Sequence, residues 1–284
     1  MFFNRRQLLL SGLVGTGALI GSSLAGQNKS LAQDSDPYAE QVSQGLAYFQ
    51  EQAELQLPLV EDLLTAIQSG DLANAQAAYI LSRPPYEQIE VLAASFPEID
   101  EAIDARPYGY EEGELSPDFV SIHRIEALIF RDQDLESAIP FAEGLVESVE
   151  SLIQQLQERE RFNSQMHFDG MIALSTEVGA KKISSEEETW SDQSILIFRE
   201  NWQGILSQYQ PFEPLVQEKD NAVAQSVMEA YGLAQESIAA FVQPNVVAAA
   251  PYSSVGIRER GEITRATYQL RDALLRVMDV LEIG

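Results

Sequence analysis

The sequence predicts an all-α fold: an up-and-down helical arrangement, two packed four-helix-type bundles in one compact body. Three observations lead there. Apolar residues recur at three- and four-residue intervals over most of the chain, the period of helices with one buried face. Prolines fall mostly between these stripes or where first helical turns are expected. Alternating β-branched runs bounded by turn pairs are nearly absent. With 284 residues and 45% hydrophobic content, the chain can bury a sizeable core.

The first 32 residues stand apart from that core. Asn4-Arg5-Arg6-Gln7 leads into a moderately apolar, small-residue-rich stretch over residues 8–25, the pattern of a twin-arginine export signal. Ser30-Leu31-Ala32 is a small-x-small cleavage pattern, and Ser23-Leu24-Ala25 is a second one. The alternative is an uncleaved anchor, since about 18 apolar residues can just span a bilayer. Glycines at 12, 15, 17 and 21 make that a weak span. The expected mature domain is residues 33–284, without membrane insertion after cleavage.

In the mature chain the stripes follow in order. Val42, Leu46, Phe49 and Ala53 form the first. Ile139, Ala142, Leu145, Val149, Leu152, Ile153 and Leu156 form a long one. Ile195, Phe198, Trp202, Ile205 and Tyr209 make another, then Val223, Val227, Tyr231, Ala234, Ile238 and Phe241. Ile263, Ala266, Leu270, Ala273, Leu274, Val277 and Leu281 close the series. About eight to ten helices are expected. Pro84-Pro85 reads as a helix start, and Ser184 with Glu187 and Ser185 with Glu188 read as capping boxes ahead of the stripe beginning near Ser191. Residues 97–117 and 243–256 are less regular connections.

Composition narrows the chemistry. Cysteine is absent, which excludes disulfides, thiolate metal sites, a catalytic thiol and a lipidated cysteine. The net charge is −26. Removing the signal takes away Arg5, Arg6 and Lys29 and no acids, leaving 15 basic against 44 acidic residues. Such a surface repels nucleic acid and anionic membranes and concentrates cations; solubility alone is the plainer explanation.

Histidine chemistry is confined to His123 and His167. Phe119, Ile122, Ile125, Ile129 and Phe130 make the surroundings of His123 an amphipathic helix, and Glu126, three residues on, shares its face. One imidazole nitrogen and one carboxylate oxygen can then meet one metal ion. The spacing alone also suits an ordinary hydrogen-bonded helix surface. It is not a zinc-peptidase motif: His-Glu-x-x-His is absent, and Ala127 stands where the inverted motif needs its second histidine. Glu87 and Glu90 share a second face, and Asp100 and Asp104 lie four apart, with Arg83 and Arg106 nearby as plausible ion-pair partners. His167 reads as an ordinary helix residue.

These blocks together resemble the imelysin-like domain of EfeO-type periplasmic iron-uptake proteins. The matching residues are Ala78, Tyr79 and Ile80 on to Glu90, then Phe96-Pro97-Glu98-Ile99-Asp100 to Arg106, then His123-Arg124-Ile125-Glu126. Glu177-Val178, the run from Lys182 to Glu188, Trp190-Ser191, Phe198, Asn201 and Gly204 follow in register. The resemblance spans about residues 38–282. It implies a helical periplasmic protein whose His123 and Glu126 match the family's His-x-x-Glu metal motif, with Glu87, Glu90 and Asp104 completing the site and Glu177 ranking lower. There are departures. Family members usually carry Gly-Phe where this chain has Ser121-Ile122, and their Tyr-Ser-His-x-Asp-Leu stretch is here Trp190-Ser191-Asp192-Gln193-Ser194-Ile195. The cupredoxin-like domain of long EfeO proteins has no counterpart, so the resemblance is to the short form.

The leading expectation is therefore an exported metal-binding protein supporting iron uptake, capturing the ion for an inner-membrane permease. The compartment implied is the periplasm, or the thylakoid lumen in a photosynthetic bacterium. One imidazole with several carboxylates suits iron, and also manganese, calcium or zinc. A metallopeptidase-like enzyme is the alternative, because imelysin relatives are classed with such enzymes. A third reading is a module for an anionic polysaccharide or a protein partner, using Tyr108, Tyr110 and Trp190.

Overall fold

The computed structural model describes residues 36–184 and 187–284. The twin-arginine segment, both cleavage patterns and Ser185 lie outside the described residues. Ten α-helices occur among these residues, with short 3₁₀ turns and no strand, so the fold is all-α. They are α1 (Ala39–Gln68), α2 (Leu72–Ile89), α3 (Pro97–Asp104), α4 (Ile122–Glu126), α5 (Leu135–Leu156), α6 (Ser164–Ala180), α7 (Ser194–Tyr209), α8 (Glu213–Lys219), α9 (Asn221–Ile238) and α10 (Ile257–Leu281).

Local chemistry sets several starts. Asp71, Asp134, Asn163 and Asp220 each accept a backbone N–H of the first turn of α2, α5, α6 and α9, which satisfies donors that the helix itself leaves unpaired. The stripes then bury as their period requires. Every residue of the α10 stripe is buried, as is every residue of the first. In α5 and α9 some members (Ile139, Ile153, Val223, Tyr231) are half-buried and pack at the edge.

α1, α2 and α5 pack together, and α6, α9 and α10 form a second group. α7 lies between, against α1 and α2 on one flank and α6 and α9 on the other. Only Arg199 and Gln203 of its sixteen residues escape burial, as a helix enclosed on all sides demands. Close approach is bought with glycine: a Cβ at Gly204 would stand 2.7 Å from Cα and 2.8 Å from the carbonyl carbon of Gln88 on α2.

Three expectations change. α2 runs straight through Pro84 and Pro85 instead of starting there; Tyr86, Glu87 and Ile89 beyond them are buried, and tertiary packing holds the turn although proline supplies no N–H. Pro58 and Pro140 likewise lie inside α1 and α5. The Ser184–Glu187 capping box does not form. The Ser184 hydroxyl donates to Lys181 O, Glu187 turns inward to Lys182, and α7 begins at Ser194. Finally, the helix carrying His123 is short: capped by Ser121, it gives way after Glu126 to a π-helical turn, Ala127–Asp132, closed by Gln133 at φ 56°. Such π turns frequently mark functional sites.

Candidate metal centre

Segments distant in sequence converge on one buried polar region. α2 supplies Tyr79, Arg83 and Glu87 at intervals of four, hence on one face, and Glu90 follows at its end. The last turn of α3 brings Asp104, with Arg106 just beyond. α4 brings His123 and Glu126; Lys182 follows α6, and Glu187, Glu188 and Ser191 precede α7. His123, Glu126, Glu87, Asp104, Lys182, Glu187, Glu188 and Arg83 are all buried.

Among the described residues two sets of ligand atoms lie within 4.8 Å of one another: His123, Glu126 and Glu188 in one, and Glu87, Glu90, Asp104 and Glu187 in the other. In the first, Nδ1 of His123 is 3.0 Å from Glu126 Oε2. Its Nε2 faces Asp104 Oδ1 at 3.3 Å, an ion-pair contact. Glu126 Oε1 accepts the backbone N–H groups of Trp190 at 2.8 Å and Ser191 at 2.7 Å. Glu188 accepts from the Tyr79 hydroxyl at 3.0 Å, from Arg83 Nε at 2.7 Å and from the Ser191 hydroxyl.

Arg83 joins the two sets. Its Nη2 lies 2.5 Å from Glu87 Oε1 and 3.2 Å from Asp104 Oδ1, while Nε holds Glu188. Arg106 grips Asp104 Oδ2 at 2.9 Å and also Glu187. Lys182 Nζ donates to Glu90 at 2.6 Å and Glu187 at 2.7 Å. Asn201 of α7 donates Nδ2 to Glu87 Oε2 at 3.1 Å and Glu90 Oε2 at 2.9 Å.

Six buried or nearly buried carboxyl groups thus face three permanent cations and one histidine. The excess of acid appears in the proton affinities. Burial and the neighbouring Glu126 push Glu188 up to about 7, and burial lifts Glu90 despite Lys182. Burial would raise Asp104 too, but Arg106, His123 and Arg83 hold it well below the usual carboxylate range. For His123, burial and Arg106 favour the neutral ring, yet contacts with Asp104 and Glu126 outweigh them and raise it to about 9. Positive charge is favoured where His123 stands.

The donor set fits a hard cation. One nitrogen and several carboxylate oxygens, buried and already converging, suit iron or manganese, whereas no thiolate is available for soft metals. A bound cation would supply the missing positive charge.

The sequence-predicted residues divide accordingly. His123 and Glu126 fall in the first set; Glu87, Glu90 and Asp104 fall in the adjoining one, with Asp104 touching both. Glu177 lies apart on α6, 3.7 Å from Lys181. His167, also on α6, is buried beside Gly45 of α1 and belongs to neither set. Of the aromatics, Tyr108 is exposed, and half-buried Trp190 lies under Arg131, 5.0 Å from its ring centre. Glu187 and Glu188 were not foreseen as site residues, because two acids three residues after serines carry the same pattern as helix caps. A lysine beside them, Lys182, was the one hint that they turn inward.

The iron uptake system component EfeM of Pseudomonas syringae pv. syringae is 28% identical over 200 residues, 70% of each chain. EfeO of Yersinia pestis is 27% identical over 211 residues, 74% of this chain and 56% of its own. EfeO of Escherichia coli K12 is 35% identical over 139 residues, 49% of this chain and 37% of its own. The chain thus matches little more than half of the Yersinia protein and less of the Escherichia one. The imelysin family model matches residues 37–271, nearly the whole described body and every residue of both ligand sets, and the chain belongs to the imelysin family.

Proposed function

We propose that the protein is an exported cation carrier of an iron-uptake system, one that captures iron in the periplasm and passes it to a membrane permease. The ion is held by His123, Glu126 and Glu188, with Asp104 alongside. The observation that carries this reading is the buried His123, set between Glu126 and Asp104 with Glu188 converging on the same point. The iron-uptake names of the similar proteins support the choice of cargo. No helix among the described residues is long and apolar enough to cross a membrane, in keeping with a partner that does the crossing.

The residues divide the work by their chemistry. Glu126 and Glu188 bring negative charge, and burial strengthens its attraction for a cation. His123 must give up its proton to ligate, so loading releases protons and tightens as pH rises. Tyr79, Arg83 and the Trp190 and Ser191 amides orient the carboxylates, as hydrogen-bonded neighbours of metal ligands generally do. The 190–191 amides hold Glu126 Oε1, which leaves Oε2 on the His123 side to meet the ion.

The test is elemental analysis of protein purified from its native compartment, with the natural chain and a His123→Ala, Glu126→Ala double variant compared. One iron per natural chain and none in a variant of unchanged helical spectrum is expected. Full iron retention in the variant would sink the reading.

A further inference from the structure

The second ligand set contains a cation already, and it belongs to the chain. Lys182 Nζ lies 2.6 Å from Glu90 Oε2, 2.7 Å from Glu187 Oε1 and 3.7 Å from Glu87 Oε2. These three carboxylates, with Asp104, are the set whose oxygens all converge within 4.8 Å. The ammonium therefore sits among the same oxygens that a metal ion would use. It is held deep: the Lys182 side chain is 2% exposed, and the amide of fully buried Asn201 backs Glu87 and Glu90 with its Nδ2 while its Oδ1 has no partner.

The His123 set differs in kind. Among the described residues no lysine pairs with it; Arg83 Nε pairs with Glu188, and Arg106 grips the neighbouring Asp104. Lys182 Nζ, by contrast, is seated directly among Glu187, Glu90 and Glu87. A metal ion entering the second set would have to displace the buried ammonium from these oxygens.

We infer that Lys182 is a tethered cation that closes the Glu87–Glu90–Glu187 set to metal, so that the protein carries one ion, at His123, and removing the lysine charge opens a latent second site. Asp104 belongs to the lysine-filled set but faces His123, so it remains shared. Lys182 is thereby a specificity-determining residue, fixing the number and place of bound ions. The inference rests on the proposed His123 site only for the first ion; the latent site stands on Lys182 and its carboxylates.

The experiment measures manganese(II) stoichiometry, as a redox-stable hard cation, by calorimetry and elemental analysis on the full chain. The natural protein should bind one ion and Lys182→Met two. Lys182→Met combined with His123→Ala and Glu126→Ala should bind one. If the natural chain binds none and Lys182→Met binds one, the His123 reading fails and this inference holds. If Lys182→Met still binds one, or the natural chain binds two, the inference is overturned. Should Lys182→Met fail to fold, Glu90→Gln in the natural chain decides. Unchanged stoichiometry and affinity within threefold are expected, whereas loss of an ion would show that the second set already binds metal.

Discussion

Glu126 is divided between His123 and the segment that follows it in space: Oε2 lies 3.0 Å from His123 Nδ1, and Oε1 accepts the amide of Ser191 at 2.7 Å. One carboxylate thus orients the imidazole and anchors the chain ahead of α7. Glu126→Gln keeps an acceptor for the amides but removes the charge. Cation affinity should fall on the order of 10- to 100-fold with stability nearly unchanged. Glu126→Ala also strands the Trp190 and Ser191 amides, and should add a loss of about 1–3 kcal/mol. Metal titration beside urea unfolding separates the two effects.

Arg83 is the cation on which both sets depend, fully buried and touching Glu87, Asp104 and Glu188. Arg83→Met takes the guanidinium from all three and leaves Glu188 with no arginine or lysine partner among the described residues, although Asp104 keeps Arg106 and Glu87 keeps Lys182; a loss of about 3–5 kcal/mol at neutral pH is expected. The deficit should shrink as pH falls, because protonated carboxyls no longer need the guanidinium. A deficit that is independent of pH in denaturant unfolding would mean that packing, not charge, is what Arg83 provides.

His167 gives a separate pH signature. Burial depresses it from 6.5 to about 4, despite Asp36 and Gln208, which favour the protonated ring. The unfolded chain therefore binds the extra proton between those values. Its contribution to stability is full above about pH 6.5 and is lost as pH falls towards 4, a change of ~3 kcal/mol. His167→Gln removes this component. Between pH 7.5 and 4.5 the stability difference between natural chain and variant should move by about 2–3 kcal/mol in the variant's favour, read from urea midpoints; a constant difference would contradict it.

Gly204 sets the separation of α2 and α7, which carry Glu87 and Asn201. Gly204→Ala would place a methyl against the Gln88 backbone, which cannot give way as a flexible side chain could. A loss of about 1–3 kcal/mol is expected, as the Asn201–Glu87 contact spreads. Gly261, with open space around it, is the control: Gly261→Ala should not lower stability.

Much of this was legible in the sequence because it rests on period. The α1, α7 and α10 stripes need only helical spacing to predict burial, and the His123–Glu126 pair needs only three-residue separation on one face. What escaped depends on partners far along the chain. Pro84 and Pro85 signal a helix start locally, yet α2 passes through them because the residues beyond are held in the core. Ser184 and Glu187 have cap spacing, yet Lys182 and Arg106 draw Glu187 inward, an ion pairing across 81 residues in the case of Arg106. The π turn after Glu126 has no local marker at all. Charge pairing across such distances has no period, so the lysine-filled set could be found only in three dimensions.

The most direct measurement is anomalous diffraction at the iron edge from crystals of the full chain grown with iron(II). A single peak within bonding distance of His123, Glu126 and Glu188 is expected, with Lys182 still on Glu90 and Glu187. A peak among Glu87, Glu90 and Glu187 with Lys182 displaced, or peaks only at surface acids, would contradict it.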